Sequence, residues 1–227
     1  TSFNKPIDSW NVSQVEYMDG MFYGAASFNK PIDSWDVSQV VVMAGMFAEA
    51  KSFNQTIDTW NVSQVESMDG MFAGATSFNQ PVGSWDVSQV ESMEQMFSET
   101  DYFNQLIGDW NTSQVLNMEK MFYFATSFNE PIDSWDVSQV EYMPGMFLYA
   151  TSFNKPLDSW NVSKVEDMDF MLLGATSFNQ CLSTWAEKTS DTVSTFDMLE
   201  NTDCPNGIDS PNATIGPWCQ DYNQGCF

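Results

Sequence analysis

The side chains in this sequence that carry chemistry recur in rows 25 residues apart. Aspartate returns as Asp8, Asp33, Asp58, Asp133 and Asp158, and glutamate as Glu16, Glu66, Glu91, Glu141 and Glu166. Stacked about 5 Å apart, such carboxylates repel one another by about 1 kcal/mol per pair in water. A divalent cation with a preference for oxygen ligands relieves that repulsion, which makes Asp8, Asp33 and Asp58 candidate calcium ligands. A solvated acidic face is the simpler reading, because no loop carries a dedicated calcium signature. Catalysis has little to work with. The chain has no histidine, and all seven of its basic residues are lysines, so general-base and triad chemistry lack their usual agent. Paired carboxylates can cleave glycosides, but these recur along the whole chain, whereas an active site interrupts a pattern once. No Gly-rich phosphate loop or CxxC pair appears. No enzyme activity, catalytic residue or resident cofactor is expected.

Asparagine forms the most regular row: Asn4, Asn29, Asn54, Asn79, Asn104, Asn129, Asn154 and Asn179. An amide side chain that both donates and accepts can tie a turn to its neighbours above and below, so a structural ladder is expected there. Asn-x-Ser/Thr sequons stand at Asn11, Asn54, Asn61, Asn111, Asn161 and Asn212. Four of them share one row, in which Asn11, Asp36, Asn61, Asp86, Asn111, Asp136 and Asn161 alternate strictly. Acceptor sites on every second coil would lie about 10 Å apart, which leaves room for glycans. Asn11, Asn61, Asn111, Asn161 and Asn212 are therefore candidate N-glycosylation sites if the source is a eukaryote. Asn54 is doubtful, because it belongs to the ladder. The competing reading is that Asn and Asp serve as equivalent turn residues.

These rows need elements to hold them, and the sequence supplies an overt repeat. The unit SFNKPIDSWNVSQVEYMDGMFYGAA begins at Ser2 and restarts at Ser27, Ser52, Ser77, Tyr102, Ser127, Ser152 and Ser177. Seven units are regular. The eighth carries a three-residue insertion between Trp185 and Val193. The columns of Phe3, Ile7, Trp10, Val12, Val15, Met18, Met21, Phe22 and Ala25 stay apolar almost throughout and form the expected core. Such a fixed period implies stacked coils that bury each other's faces. Trp, Ile and Val between Pro6 and Val15 favour short extended pieces. Met18, Met21, Phe22 and Ala25 have the spacing of one or two helical turns, and Pro144 in the Asp19 column fits an early helical position. The expected fold is a right-handed solenoid with short parallel strands and a helical turn per coil. Residues 1–203 make eight coils, and residues 204–227 make a cysteine-containing cap.

The string MFxxAxxFNxPIxxWxVSxVxxM, carried from Thr1 to about Asp203, resembles the 25-residue repeat of BspA-like leucine-rich-repeat surface proteins. The resemblance implies a leucine-rich-repeat-like, extracellular solenoid used in adhesion or surface coats. It brings no catalytic residues.

Charge and cysteines narrow the setting. With 31 acidic against 7 basic residues and a net charge of −24, the chain should repel nucleic acid and anionic membranes. No apolar run approaches the roughly 20 residues that span a bilayer. The chain opens at Thr1 without a secretory signal and reads as a processed or truncated product. Cys181, Cys204, Cys219 and Cys226 suggest two disulfides and an oxidising compartment. Three pairings are open. Cys181–Cys204 with Cys219–Cys226 is preferred, because Cys204 lies about one coil beyond Cys181. With no N-terminal cap in view, the first coil would expose an apolar edge that invites pairing, so either a preceding segment or a neighbouring molecule is expected to cover it. The leading expectation is therefore a secreted structural glycoprotein of a coat or filament, assembling with its own copies. The alternative is an adhesion module that holds a protein or glycan on one face.

Overall fold

A computed structural model of the chain describes residues 1–205, 207–214, 218 and 219. Each 25-residue unit closes as a succession of tight turns, in which an amide donates to the carbonyl three residues back: Trp10 to Ile7, Val15 to Val12, Met21 to Met18, Tyr23 to Gly20 and Ala25 to Phe22. Between the last three of these bonds lie amides that leave the unit. Met18, Gly20, Phe22 and Gly24 donate to Val42, Ala44, Met46 and Ala48 of the next unit at 2.8–2.9 Å. This alternation repeats along the stack, so within this segment one face of a unit offers amides and the other carbonyls; just before it the direction reverses, as the Val41 amide donates back to the Glu16 carbonyl.

The alternation explains why Met18 to Ala25 is not helical. A helix commits every amide to its own fourth-previous carbonyl, whereas here every second amide is committed to the neighbouring unit. Left-handed backbone at two positions per unit enforces this. Gly20, Gly45, Gly70 and Gly145 have φ near +60°, and so do Gln95, Lys120, Phe170 and Asp197 in the same column. Four residues on, Gly24, Gly74 and Gly174 share positive φ with Glu49, Glu99, Phe124, Tyr149 and Asn201. Among the described residues the one α-helix, α1 (Trp185–Lys188), fills the insertion of the eighth unit. From there the Lys188 ammonium donates back to the carbonyls of Asp158 and Trp160.

Extended pieces do not form between Pro6 and Val15 either. The amides there close turns, and the column of Pro6, Pro31, Pro81, Pro131 and Pro156 has no amide to give. Units meet instead through single-residue parallel bridges: Tyr17 with Val42, Val42 with Ser67, and so on to Asp167 with Ser194. Pro144 is harmless in the Asp19 column, because among the described residues no amide there joins the ladder between units; those of Glu94, Glu119 and Asp169 find the side chains of Asp69, Asn117 and Asp167 instead.

The nine apolar columns line the interior. In the inner units their Phe, Ile, Val and Met side chains are buried. Phenylalanine rings of the Phe3 column stack at centroid distances near 6 Å, from Phe28–Phe53 to Phe153–Phe178. Phe47 lies face to face with Phe53 at 3.9 Å. Each buried indole is also tied down. Trp35 Nε1 donates to the Ile7 carbonyl at 3.2 Å, and Trp60, Trp85, Trp110, Trp135, Trp160 and Trp185 repeat the bond one unit on. The first unit lacks a neighbour on one side, and Trp10 is 52% exposed there, against 4% for Trp35. At the other end Trp218 is fully buried edge-on to Trp185 and bridges Leu182 in antiparallel fashion.

The left-handed columns give a direct test. A Cβ at Gly174, where φ is +70°, would lie 2.4 Å from the Tyr149 ring. Gly174→Ala should lower the urea midpoint by the equivalent of about 1–2 kcal/mol. Phe124→Gly in the same column should hold or raise it.

Candidate functional site

The Asn4 column is a continuous chain of side-chain-to-backbone bonds. The amide of Asn29 donates to Asn4 Oδ1, that of Asn54 to Asn29 Oδ1, and the relay runs through Asn79, Asn104, Asn129 and Asn154 to Asn179 at 2.8–3.2 Å. Gln55, Gln80, Gln105 and Gln180 add a second donor to the same oxygens. Asn54 is half-buried, with its Oδ1 occupied from two sides.

The sequon column forms a different local structure. The Oδ1 of Asn11 accepts from the amide and hydroxyl of Ser13. The amides of Ser38, Ser63, Ser88, Ser113, Ser138 and Ser163 donate in the same way to Asp36, Asn61, Asp86, Asn111, Asp136 and Asn161. Asn and Asp meet this requirement equally, since only Oδ1 is used; nothing in the structure explains their strict alternation. Asn11, Asn61, Asn111 and Asn161 are all exposed. Asn212 is exposed too and accepts from Thr214 in the same turn. At Asp36 and Asp136 the hydroxyl and then the amide of the following serine hold the carboxyl below the usual aspartate range, against a small opposing effect of burial.

Among the described residues no group of three or more acidic, cysteine or histidine side chains is placed to hold a metal ion. In the Asp8 column, Ser34 and Thr59 donate their hydroxyls to the Asp8 and Asp33 carbonyls, and at Asp158 the carboxylate itself accepts from Ser183 and Thr184. One expectation needs correction, the preferred disulfide pairing. Cys204 is bonded to Cys219, with Cα atoms 4.9 Å apart, which excludes both Cys181–Cys204 and Cys219–Cys226. Cys181 is disulfide-bonded as well, and Cys226 lies outside the described residues. The reason is register. The insertion lengthens the last turn, so bridge partners Asp167 and Ser194 are 27 apart instead of 25. Cys204, only 23 residues beyond Cys181, reaches the Phe178 carbonyl instead.

The two ends of the stack are unlike. At the first unit, among the described residues, no amide donates to the carbonyls of Tyr17, Asp19, Met21 and Tyr23, and Phe3, Trp10 and Met21 are exposed beside them. At the eighth unit two of the four amides that would continue the stack are already taken. That of Leu199 donates to the Asp209 carbonyl and that of Asp197 to Ser210 Oγ, while the Thr195 hydroxyl bonds the Pro211 carbonyl.

Sequence reasoning missed a lateral patch at the second left-handed column. Phe124 and Tyr149 stand where other units carry glycine, and their exposed rings meet at 4.7 Å. The signal was available: aromatic residues interrupting a column that holds Gly24, Gly74 and Gly174.

Taken together, these features define a protein of stacked 25-residue units held in register by repeated polar columns. A family model described as "Mycoplasma protein of unknown function, DUF285" matches residues 1–110 and 92–208, and the chain belongs to that family. No curated protein and no solved structure matches it. Among the described residues no helix is long and apolar enough to cross a membrane.

The serine-capped turns have a pH signature. Because the folded carboxyls of Asp36 and Asp136 are depressed, their contribution to stability is complete above the ordinary aspartate range and is lost as pH falls through the depressed value. Ser38→Ala should move the Asp36 titration, followed by carboxyl-carbon NMR, up towards the ordinary range and leave Asp136 unchanged.

Proposed function

We propose that this chain is a non-enzymatic extracellular binding module: a solenoid of the BspA-like leucine-rich-repeat type that holds a protein or glycan partner on one lateral face. The observation that carries this reading is the closed C-terminal end. A filament of identical copies stacked end to end needs the amide-bearing face of one copy to meet the carbonyl-bearing face of the next. In this chain Asp209, Ser210 and Pro211 already occupy the amide side of the last unit. The sides remain, and there the columns vary from unit to unit while the interior does not.

Exposed sequons and the disulfide fit secretion through an oxidising compartment. Glycans at Asn11, Asn61, Asn111, Asn161 and Asn212 would cover one edge and leave the others for recognition. The coat or filament reading keeps one specific support, the open apolar face around Phe3, Trp10 and Met21.

Two measurements test these readings. In sedimentation velocity and negative-stain micrographs the purified chain should remain monodisperse, and it should bind saturably to members of a panel of extracellular-matrix proteins and glycans. Fibres or sheets would reverse the choice in favour of a coat. On material from a eukaryotic secretory host, deglycosylation should lower the mass and convert the four column asparagines and Asn212 to aspartate; an unchanged mass would remove the glycan edge.

A further inference from the structure

The lateral patch at the second left-handed column has the composition of a cation site. Thr76, Glu99, Asp101, Tyr123 and Phe124 line an open cavity of about 270 Å³. Tyr123 meets Phe124 edge to face, with centroids 4.7 Å apart and planes at 86°, and the Tyr149 ring lies 4.7 Å from Phe124 on the next unit. The rings thus make a corner rather than a flat floor. Two carboxylates share the wall, and neither Glu99 nor Asp101 belongs to either ion pair found among the described residues, Lys51–Glu49 and Lys120–Glu119. The interior does not account for these rings. Phe124 and Tyr149 are exposed, and they sit at φ +52° and +58°, where bulky side chains are disfavoured and where other units use glycine.

We propose that this cavity binds an organic ammonium group, of the kind carried by a lysine side chain or a methylated amine. The faces of Tyr and Phe attract a cation within about 6 Å of the ring. Glu99 and Asp101 supply the opposing charge, and the net charge of −24 draws cations towards the whole surface and repels sulfated or sialylated glycans. The volume suits an ammonium head with its adjoining carbons and falls below the usual size of a site for a larger ligand. The proposal rests on the lateral-face reading and names the chemistry of one such face.

The test compares choline with 3,3-dimethylbutanol, its neutral isostere, by NMR titration of the intact chain at low ionic strength. Choline should give saturable shifts confined to Tyr123, Phe124, Tyr149 and their neighbours, and the isostere should not. Phe124→Gly should weaken binding about tenfold, as expected for loss of a desolvated ring contact. Since that change relieves the left-handed strain, a folded variant is expected, and its urea midpoint verifies this. Glu99→Gln should weaken binding and flatten its salt dependence. A lysine-containing peptide and free choline separate the two sources: tighter binding of the peptide points to a partner protein, tighter binding of choline to a small metabolite, and either supports an ammonium site. Equal binding of the isostere, unchanged binding in Phe124→Gly, or shifts with cellobiose and none with choline would each overturn the proposal. Such a result leaves the wider binding-module reading to the sedimentation and panel measurements, which do not depend on this cavity.

Discussion

Every layer of this molecule depends on how the amides between the Met18 and Ala25 columns are divided. Half close turns inside a unit and half cross to the next unit. Both sets are satisfied, as close packing of polar backbone requires. The apolar columns can then approach until the phenylalanine rings of neighbouring units stack. The side-chain relays follow the same spacing. Asn Oδ1, the Trp Nε1 donor and the hydroxyl of the Ser9 column each bridge one unit to the next, so every polar row reinforces the register that the backbone sets.

Much of this was legible in the sequence and some was not. Periodicity alone located the core, because a column that never tolerates a polar residue announces its burial: the Phe28 to Phe178 positions are fully buried. The local conformation was harder to read. Met18, Met21, Phe22 and Ala25 have helical spacing, yet the backbone turns left-handed at the two positions between and beside them. Glycine marks those positions in only some units. Where Gln95, Glu99, Lys120 or Phe124 replaces it, the signal disappears, and packing against the neighbouring units overrides local preference. The cysteine pairing was misjudged for a related reason, since counting residues cannot show that the next turn is displaced by a net two residues.

The candidate surfaces follow a simple division. Interior columns are fixed by contacts with two neighbours and barely vary. Exterior columns answer only to solvent and to partners, and they differ from unit to unit: Asn against Asp beside the tryptophan row, glycine against aromatic at the left-handed sites, proline against Leu106 in the Pro6 column. A stack of this kind can therefore alter one lateral face without disturbing the units beneath it, whereas a change to an inner phenylalanine touches three units at once.

The C-terminal closure has a bearing on biosynthesis. Translation proceeds from the first unit towards the last, but the amide-bearing face is covered only when the segment leading to Trp218 arrives and Cys204 joins Cys219. Until then every emerging intermediate carries an uncovered, donor-rich growing edge. A chain that has not yet reached Trp218, or whose Cys204 and Cys219 stay reduced, lacks that cover and is open to mispairing at this edge.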